Sequence, residues 1–149
     1  MSCANLNALA SMSNKYGSNP EFVLAGGGNT SFKDEKTLYV KGSGTSLATI
    51  QPEDFVVMDR AALAVVRTKQ YSDDTTLREA EVLADMMDAR CKGQTRRPSV
   101  ETTLHDLLDW KFVLHVHPAA VNGITCAVNG AATVARLFPS AIWVPCTEP

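Results

Sequence analysis

One apolar run, Phe112-Val113-Leu114-His115-Val116-His117, holds two of the three histidines of this 149-residue chain and constrains its fold more than any other segment. The run reads as a β-strand, and residues two apart in a strand point to the same side. His115 and His117 would then project side by side from a rigid element, forming half of a zinc or other divalent-metal site. Two hydrogen-bonded or solvated imidazoles on a polar strand face is the competing reading. A helical pattern starting at Pro98-Ser99 and carrying Leu104, Leu107 and Leu108 to Trp110 leads almost directly into this strand.

The rest of the chain alternates in the same way. Asn5 to Tyr16 reads as an opening helix stopped by Gly17. Short strands are expected around Phe22 to Ala25, Leu38 to Val40, Phe55 to Asp59 and Leu63 to Val66. Thr76 and Glu79 have capping-box spacing within Ser72-Asp73-Asp74-Thr75-Thr76, predicting a helix that runs to about Lys92-Gly93 and buries Leu77, Ala80, Ala84 and Met87. Alternating helices and strands define the α/β class. Ala141-Ile142-Trp143-Val144-Pro145 reads as a core strand close to Pro149, which leads us to expect a C-terminally incomplete fragment of a longer protein.

A chain of this length, 45% hydrophobic and 20% charged, suits a single globular domain. The net charge of −2 and the absence of a Lys/Arg run argue against nucleic acid or an anionic membrane as the main partner, leaving a small molecule. No stretch has the ~20 apolar residues of a membrane span, and Met1-Ser2-Cys3-Ala4-Asn5 lacks a secretory pattern, so a cytoplasmic location is expected. Cys3, Cys91, Cys126 and Cys146 form no C-x-x-C pair and read as reduced thiols.

Gly26-Gly27-Gly28-Asn29-Thr30-Ser31 and Lys41-Gly42-Ser43-Gly44-Thr45-Ser46 are glycine-rich loops suited to phosphate, with close backbone approach, neutral donors and one charge. Tight turns with small polar residues would explain each equally well. Neither is a nucleotide fingerprint: Ser31 replaces the last glycine of G-x-G-x-x-G, and Lys41 precedes its glycines, opposite to a P-loop. With Ser99 as N-cap, Glu101 falls in the first helical turn and His105 one turn on, on the same face. A first-turn Glu favoured by the helix dipole accounts for that locally. Proximity to the histidine strand adds the alternative of a carboxylate that moves protons beside a Lewis acid.

Taken in order, Gly28-Asn29-Thr30-Ser31, Lys41-Gly42-Ser43-Gly44, Pro98-Ser99-Val100-Glu101 with His105, and His115-Val116-His117-Pro118 resemble the class II aldolase/adducin family over nearly the whole chain. The G-G-G-N-T-S and K-G-S-G forms look most like the aldolase part of rhamnulose-1-phosphate aldolase/alcohol dehydrogenase-type proteins. This resemblance implies a three-layer α/β/α fold with a central, largely antiparallel sheet, residues 1–149 being the N-terminal portion of one such domain. It implies zinc or another divalent metal on His115 and His117, with a third histidine beyond Pro149. Glu101 takes the acid/base role, and Gly28, Asn29, Ser43, Gly44 and Ser99 take the substrate phosphate, with His105 and Lys41 in support. Val100 departs from the serine pair of the family pattern and removes one hydroxyl from the phosphate cradle.

The implied activity is retro-aldol cleavage of a ketose 1-phosphate to dihydroxyacetone phosphate and an aldehyde, in a homotetramer. An epimerase or dehydratase on the same scaffold, or a non-catalytic domain like the adducin head, are the alternatives. Epimerases resembling this pattern carry Asp where Glu101 stands, and a binding module would lose the two histidines.

Overall fold

The computed structural model describes residues 3–146. Met1, Ser2, the Cys3 side chain and Thr147-Glu148-Pro149, on which parts of the leader, thiol and chain-end readings rest, lie outside the described residues. Helix α1 spans Cys3–Gly17, strands β1 and β2 span Asn29–Lys33 and Thr37–Lys41, and a 3-10 turn at Pro52–Asp54 leads into β3, Phe55–Asp59. Helices α2 (Arg60–Thr68), α3 (Thr75–Asp88) and α4 (Thr102–Leu107) precede β4 (Phe112–His115), and α5 (Ala119–Thr125) and α6 (Gly130–Leu137) follow it.

The four strands form one antiparallel sheet in the order β3-β2-β1-β4. Strand alternation sends Leu38, Val40, Val56 and Met58 to one face, where they pack with Leu63 of α2 and Ala89. Phe32 and Phe55 face the other way and pack with Leu9, Ala10 and Ile50. With α1 on one face and α2 and α4 on the other, the architecture is the expected three-layer α/β/α sandwich. The register sets Asn29 opposite His115 and Ser31 between Val40 and Val113, so β1 is central and covered on both faces.

Several local expectations are corrected. Phe22 to Ala25 is a series of turns: Phe22 and Val23 N–H donate to Asn19 O, and Ala25 has a φ of 52° that no strand allows. Leu63 to Val66 is helix, because Asp59 ends β3 and caps α2, its carboxylate accepting from Ala61 N and Ala62 N at 2.8 and 3.1 Å. In α3 the cap is Asp74, bonded to Leu77 N, and Thr76 and Glu79 do not frame its start. The helix stops at Asp88, before Lys92, because the chain then bridges to β3 through Cys91 N and Val57 O. Only its C-terminal end reaches the core: Met86 and Ala89 are buried, whereas Leu77, Ala80 and Ala84 are exposed and Met87 is half-buried.

Helix α4 is turned over relative to its apolar pattern. It starts at Thr102 with Glu101, not Ser99, as N-cap, and buries Thr102, His105 and Asp106 while Leu104, Leu107, Leu108 and Trp110 face out, Trp110 at 77% exposure. Each inward residue makes a polar contact that lowers the cost of burying it, although His105 Nε2 stays without a hydrogen-bond partner. Asp106 meets Arg60 Nε at 2.6 Å and Arg67 Nη1 at 3.0 Å, and Thr102 donates to Ser99 O at 2.6 Å. Ala141 to Pro145 pairs with neither sheet edge, and Ile142 is 91% exposed, so the expected core strand is absent among the described residues. Cys91, Cys126 and Cys146 are free thiols, and no described helix is long and apolar enough to cross a membrane.

The cap on α2 is testable by denaturant unfolding. Asp59→Ala should cost about 0.5–2 kcal/mol and Asp59→Asn should recover most of it, because the amide oxygen still accepts. An unchanged midpoint in the alanine variant would contradict the capped helix.

Candidate active site

Strand β1 and the turn before α4 bring the site together. Asn29 Nδ2 donates to Ser99 Oγ at 2.6 Å and to Glu101 Oε2 at 2.9 Å, crossing from the start of β1 to the cap of α4. The Glu101 backbone N–H also reaches Ser99 Oγ, at 3.3 Å. The carboxylate is therefore aimed by Asn29, 72 positions away in the chain. On its other side His115 Nδ1 stands 3.2 Å from Oε2. Nδ1 makes no well-directed hydrogen bond, and the contact is an ion pair when the ring is protonated.

His115 presents its second nitrogen to His117: the two Nε2 atoms are 2.9 Å apart, although β4 ends at His115 and His117 lies beyond it, exposed. Two nitrogens on one tetrahedral zinc at about 2.05 Å would stand roughly 3.3 Å apart, so a shift of tenths of an ångström makes both ligands of one ion. The pair fits a divalent metal. His105 sits deeper, fully buried, with Nδ1 2.7 Å from Ser31 Oγ. One potential ligand atom from each of Glu101, His105 and His115 lies within 4.8 Å of the others, the only such trio among the described residues.

These environments separate the protonation states. The close contact with His115, with the Asn29 hydrogen bond assisting, holds the Glu101 carboxyl down at about 2 against the opposing effect of burial. Glu101 in turn pushes His115 up from its ordinary value. Burial drives His105 down to about 4, so it is neutral near pH 7. Lys41, also buried, is lowered by desolvation, with Glu101 opposing that shift.

Both glycine loops border the cluster. Gly28 has a φ of 73°, and a Cβ there would stand 2.9 Å from His115 O, so backbone conformation and close approach both demand glycine. Gly27 passes His117, and Lys41 Nζ points toward Gly26 O at 3.5 Å. The second loop is stitched to the serine turn: Ser43 N donates to Arg97 O, Ser99 N donates to Lys41 O, and Gly42 bridges Pro98. Ser43 and the left-handed Gly44 are exposed beside this seam. Asn29, expected on phosphate, has its amide nitrogen committed to Ser99 and Glu101.

Sequence reasoning put Ser31 in a phosphate loop, missing its tie to His105, and passed over Lys33. Ser31 meets the His105 ring, and Lys33 Nζ donates to His105 O. The alternation Asn29, Ser31, Lys33 against Thr30, Phe32 was a readable period-2 signal, hidden because a glycine loop leads into it.

Residues 7–147 match the family described as Class II Aldolase and Adducin N-terminal domain, and the chain belongs to that family. It is 31% identical over 148 residues to a Bacillus subtilis (strain 168) protein named uncharacterized oxidoreductase YuxG, covering 92% of this chain but only 21% of that protein. The N-terminal class II aldolase domain of a conserved Thermoplasma acidophilum protein superposes with a TM-score of 0.75 at 31% identity, over 91% of this chain and 65% of that one. L-fuculose-1-phosphate aldolase of Thermus thermophilus shares the fold at a TM-score of 0.54 and 15% identity, over 85% of this chain and 52% of that one.

In metal-free protein, an NMR titration should find His115 protonating above the ordinary histidine value and His105 staying neutral to about pH 4, with Glu101→Gln moving His115 back down. The sign for stability follows. Unfolded His105 binds a proton near pH 6.5 and the folded ring does not, so its contribution is present above pH 6.5 and lost as pH falls toward about 4. A His105 that titrates like a free imidazole would contradict the buried site.

Proposed function

We propose that this chain carries the active site of a divalent-metal-dependent sugar-phosphate aldolase, zinc being the natural ion for two imidazoles, that cleaves a ketose 1-phosphate to dihydroxyacetone phosphate and an aldehyde. One observation carries this reading: a carboxylate clamped in its ionised form by Asn29 and His115, against a ring whose other nitrogen converges with His117. The chain spans about a fifth of the curated relative it matches, so the whole protein's activity belongs to this proposal.

Bound at His115 and His117, the metal would supply Lewis acidity that stabilises negative charge developing on substrate oxygens as the carbon–carbon bond breaks. Glu101 handles the proton. Its carboxylate takes the hydroxyl proton from the carbon that becomes the aldehyde, the C–C bond breaks, and the electron pair stays on the phosphate-bearing fragment as an enediolate. Glu101 then returns the proton to carbon, completing dihydroxyacetone phosphate. A carboxylate near 2 is a weak base at neutral pH, but a bound substrate that excludes water raises it toward the range proton transfer needs. Lys41, Ser43, Ser99 and the backbone at Gly28 and Gly44 frame the phosphate, with Lys41 its buried counter-charge. The site belongs in a homotetramer, as the family resemblance implies.

Metal analysis and a cleavage assay on ketose 1-phosphates test the assignment together. Glu101→Gln should retain the metal and lose cleavage by about 10²–10⁴-fold, whereas His115→Ala should lose both. Full activity in the first variant would remove Glu101 from proton transfer, and unchanged metal in the second would remove the histidine pair as the metal site.

A further inference from the structure

His105 is held more tightly than a supporting side chain requires. Both ends of the residue are tied to β1: Ser31 Oγ meets Nδ1 at 2.7 Å, and Lys33 Nζ donates to its carbonyl oxygen. Its backbone N–H also reaches back to Glu101 O at 3.0 Å. Both Ser31 and His105 are wholly buried, so the contact is shielded from water. The remaining ring nitrogen, Nε2, is buried without a hydrogen-bond partner, and His115 Nδ1 is left the same way. A buried group that nothing satisfies costs about 1–3 kcal/mol, and the His105 ring belongs to a cluster no more than 4.8 Å across with the Glu101 carboxylate and His115.

The proton inventory decides the tautomer. A neutral imidazole has one N–H donor and one acceptor nitrogen, and a serine has one hydroxyl hydrogen to place. The contact of Ser31 Oγ is with His105 Nδ1. If the ring donated there, the serine hydrogen would need a second buried acceptor. If the hydroxyl donates, Nδ1 accepts and the ring hydrogen stands on Nε2.

We propose that Ser31 is a positioning residue of the active site: its hydroxyl donates to His105 Nδ1, keeps the ring proton on Nε2, and so presents a fixed N–H donor toward the Glu101 carboxylate. The 4.8 Å span of the Glu101, His105 and His115 ligand atoms suits one oxygen between them, from a substrate hydroxyl or water, with each hydrogen bond near 2.8 Å. His105 then orients the oxygen whose proton Glu101 takes, and Ser31 acts only through it. Lys33 fixes the backbone beneath the ring. The kinetic consequence rests on the aldolase reading, whereas the tautomer does not.

Nitrogen-15 NMR of the histidine rings at pH 7 tests the tautomer, and cleavage kinetics with metal analysis on the same variants test its consequence. Wild type should show His105 as a single Nε2–H tautomer. Ser31→Ala should populate both tautomers, keep its metal and lower kcat about 10–100-fold with KM little changed, a typical cost of losing an outer hydrogen bond. Ser31→Thr, which restores a hydroxyl, should recover both readouts. An Nδ1–H or cationic His105 in wild type overturns the proposal without any variant having to fold. So does an alanine variant that retains the single tautomer or the wild-type kcat. Should wild type cleave no ketose 1-phosphate, the aldolase reading fails and the tautomer measurement still decides the role of Ser31.

Discussion

Everything in this structure hangs on a central strand made of polar residues. Asn29, Thr30, Ser31 and Lys33 are all buried in β1, and only Phe32 belongs to the apolar core. A strand of that composition is stable only if its side chains find partners, because each unmet group costs about 1–3 kcal/mol. Each side chain makes at least one such bond, although Asn29 Oδ1 has none. Thr30 turns to Ser13 of α1, at 2.7 Å, while Asn29, Ser31 and Lys33 turn to α4 and the turn before it. The hydrogen bonds that let β1 be buried are the same ones that place Glu101 and His105.

That coupling accounts for the orientation of α4. A six-residue helix has little intrinsic stability, and this one is held by its polar face, through Thr102, His105 and the Asp106 ion pairs with Arg60 and Arg67. Its leucines are displaced outward as a result. The gain is chemical: a carboxylate at the helix N-cap and an imidazole one turn later are presented to the end of β4 at fixed distance. Burial and charge then separate their protonation states, with Glu101 ionised, His105 neutral and His115 pulled toward the cation.

Much of this was legible in the residues. The α/β class, α1, β2 and β3 followed from periodicity, the three-layer arrangement from the family resemblance, and the H-x-H run marked β4. The errors share a cause. Leu63 to Val66 looks like a strand until Asp59 is recognised as a cap, and the leucines of α4 look like a core stripe until its polar face is known to have partners across the sheet. Local pattern measures apolarity, and here tertiary hydrogen bonds outweighed it. Ser31 was read as part of a phosphate loop for the same reason: its structural partner, His105, is 74 positions away.

The most direct test of the account is hydrogen exchange at the carbinol carbon of dihydroxyacetone phosphate in deuterated water, catalysed by the metal-loaded protein without any aldehyde. This partial reaction isolates the proton transfer assigned to Glu101 from the identity of the sugar. The account predicts stereospecific exchange of one hydrogen in wild type and none in Glu101→Gln. No exchange by the wild-type protein, or exchange that survives the substitution, would contradict it.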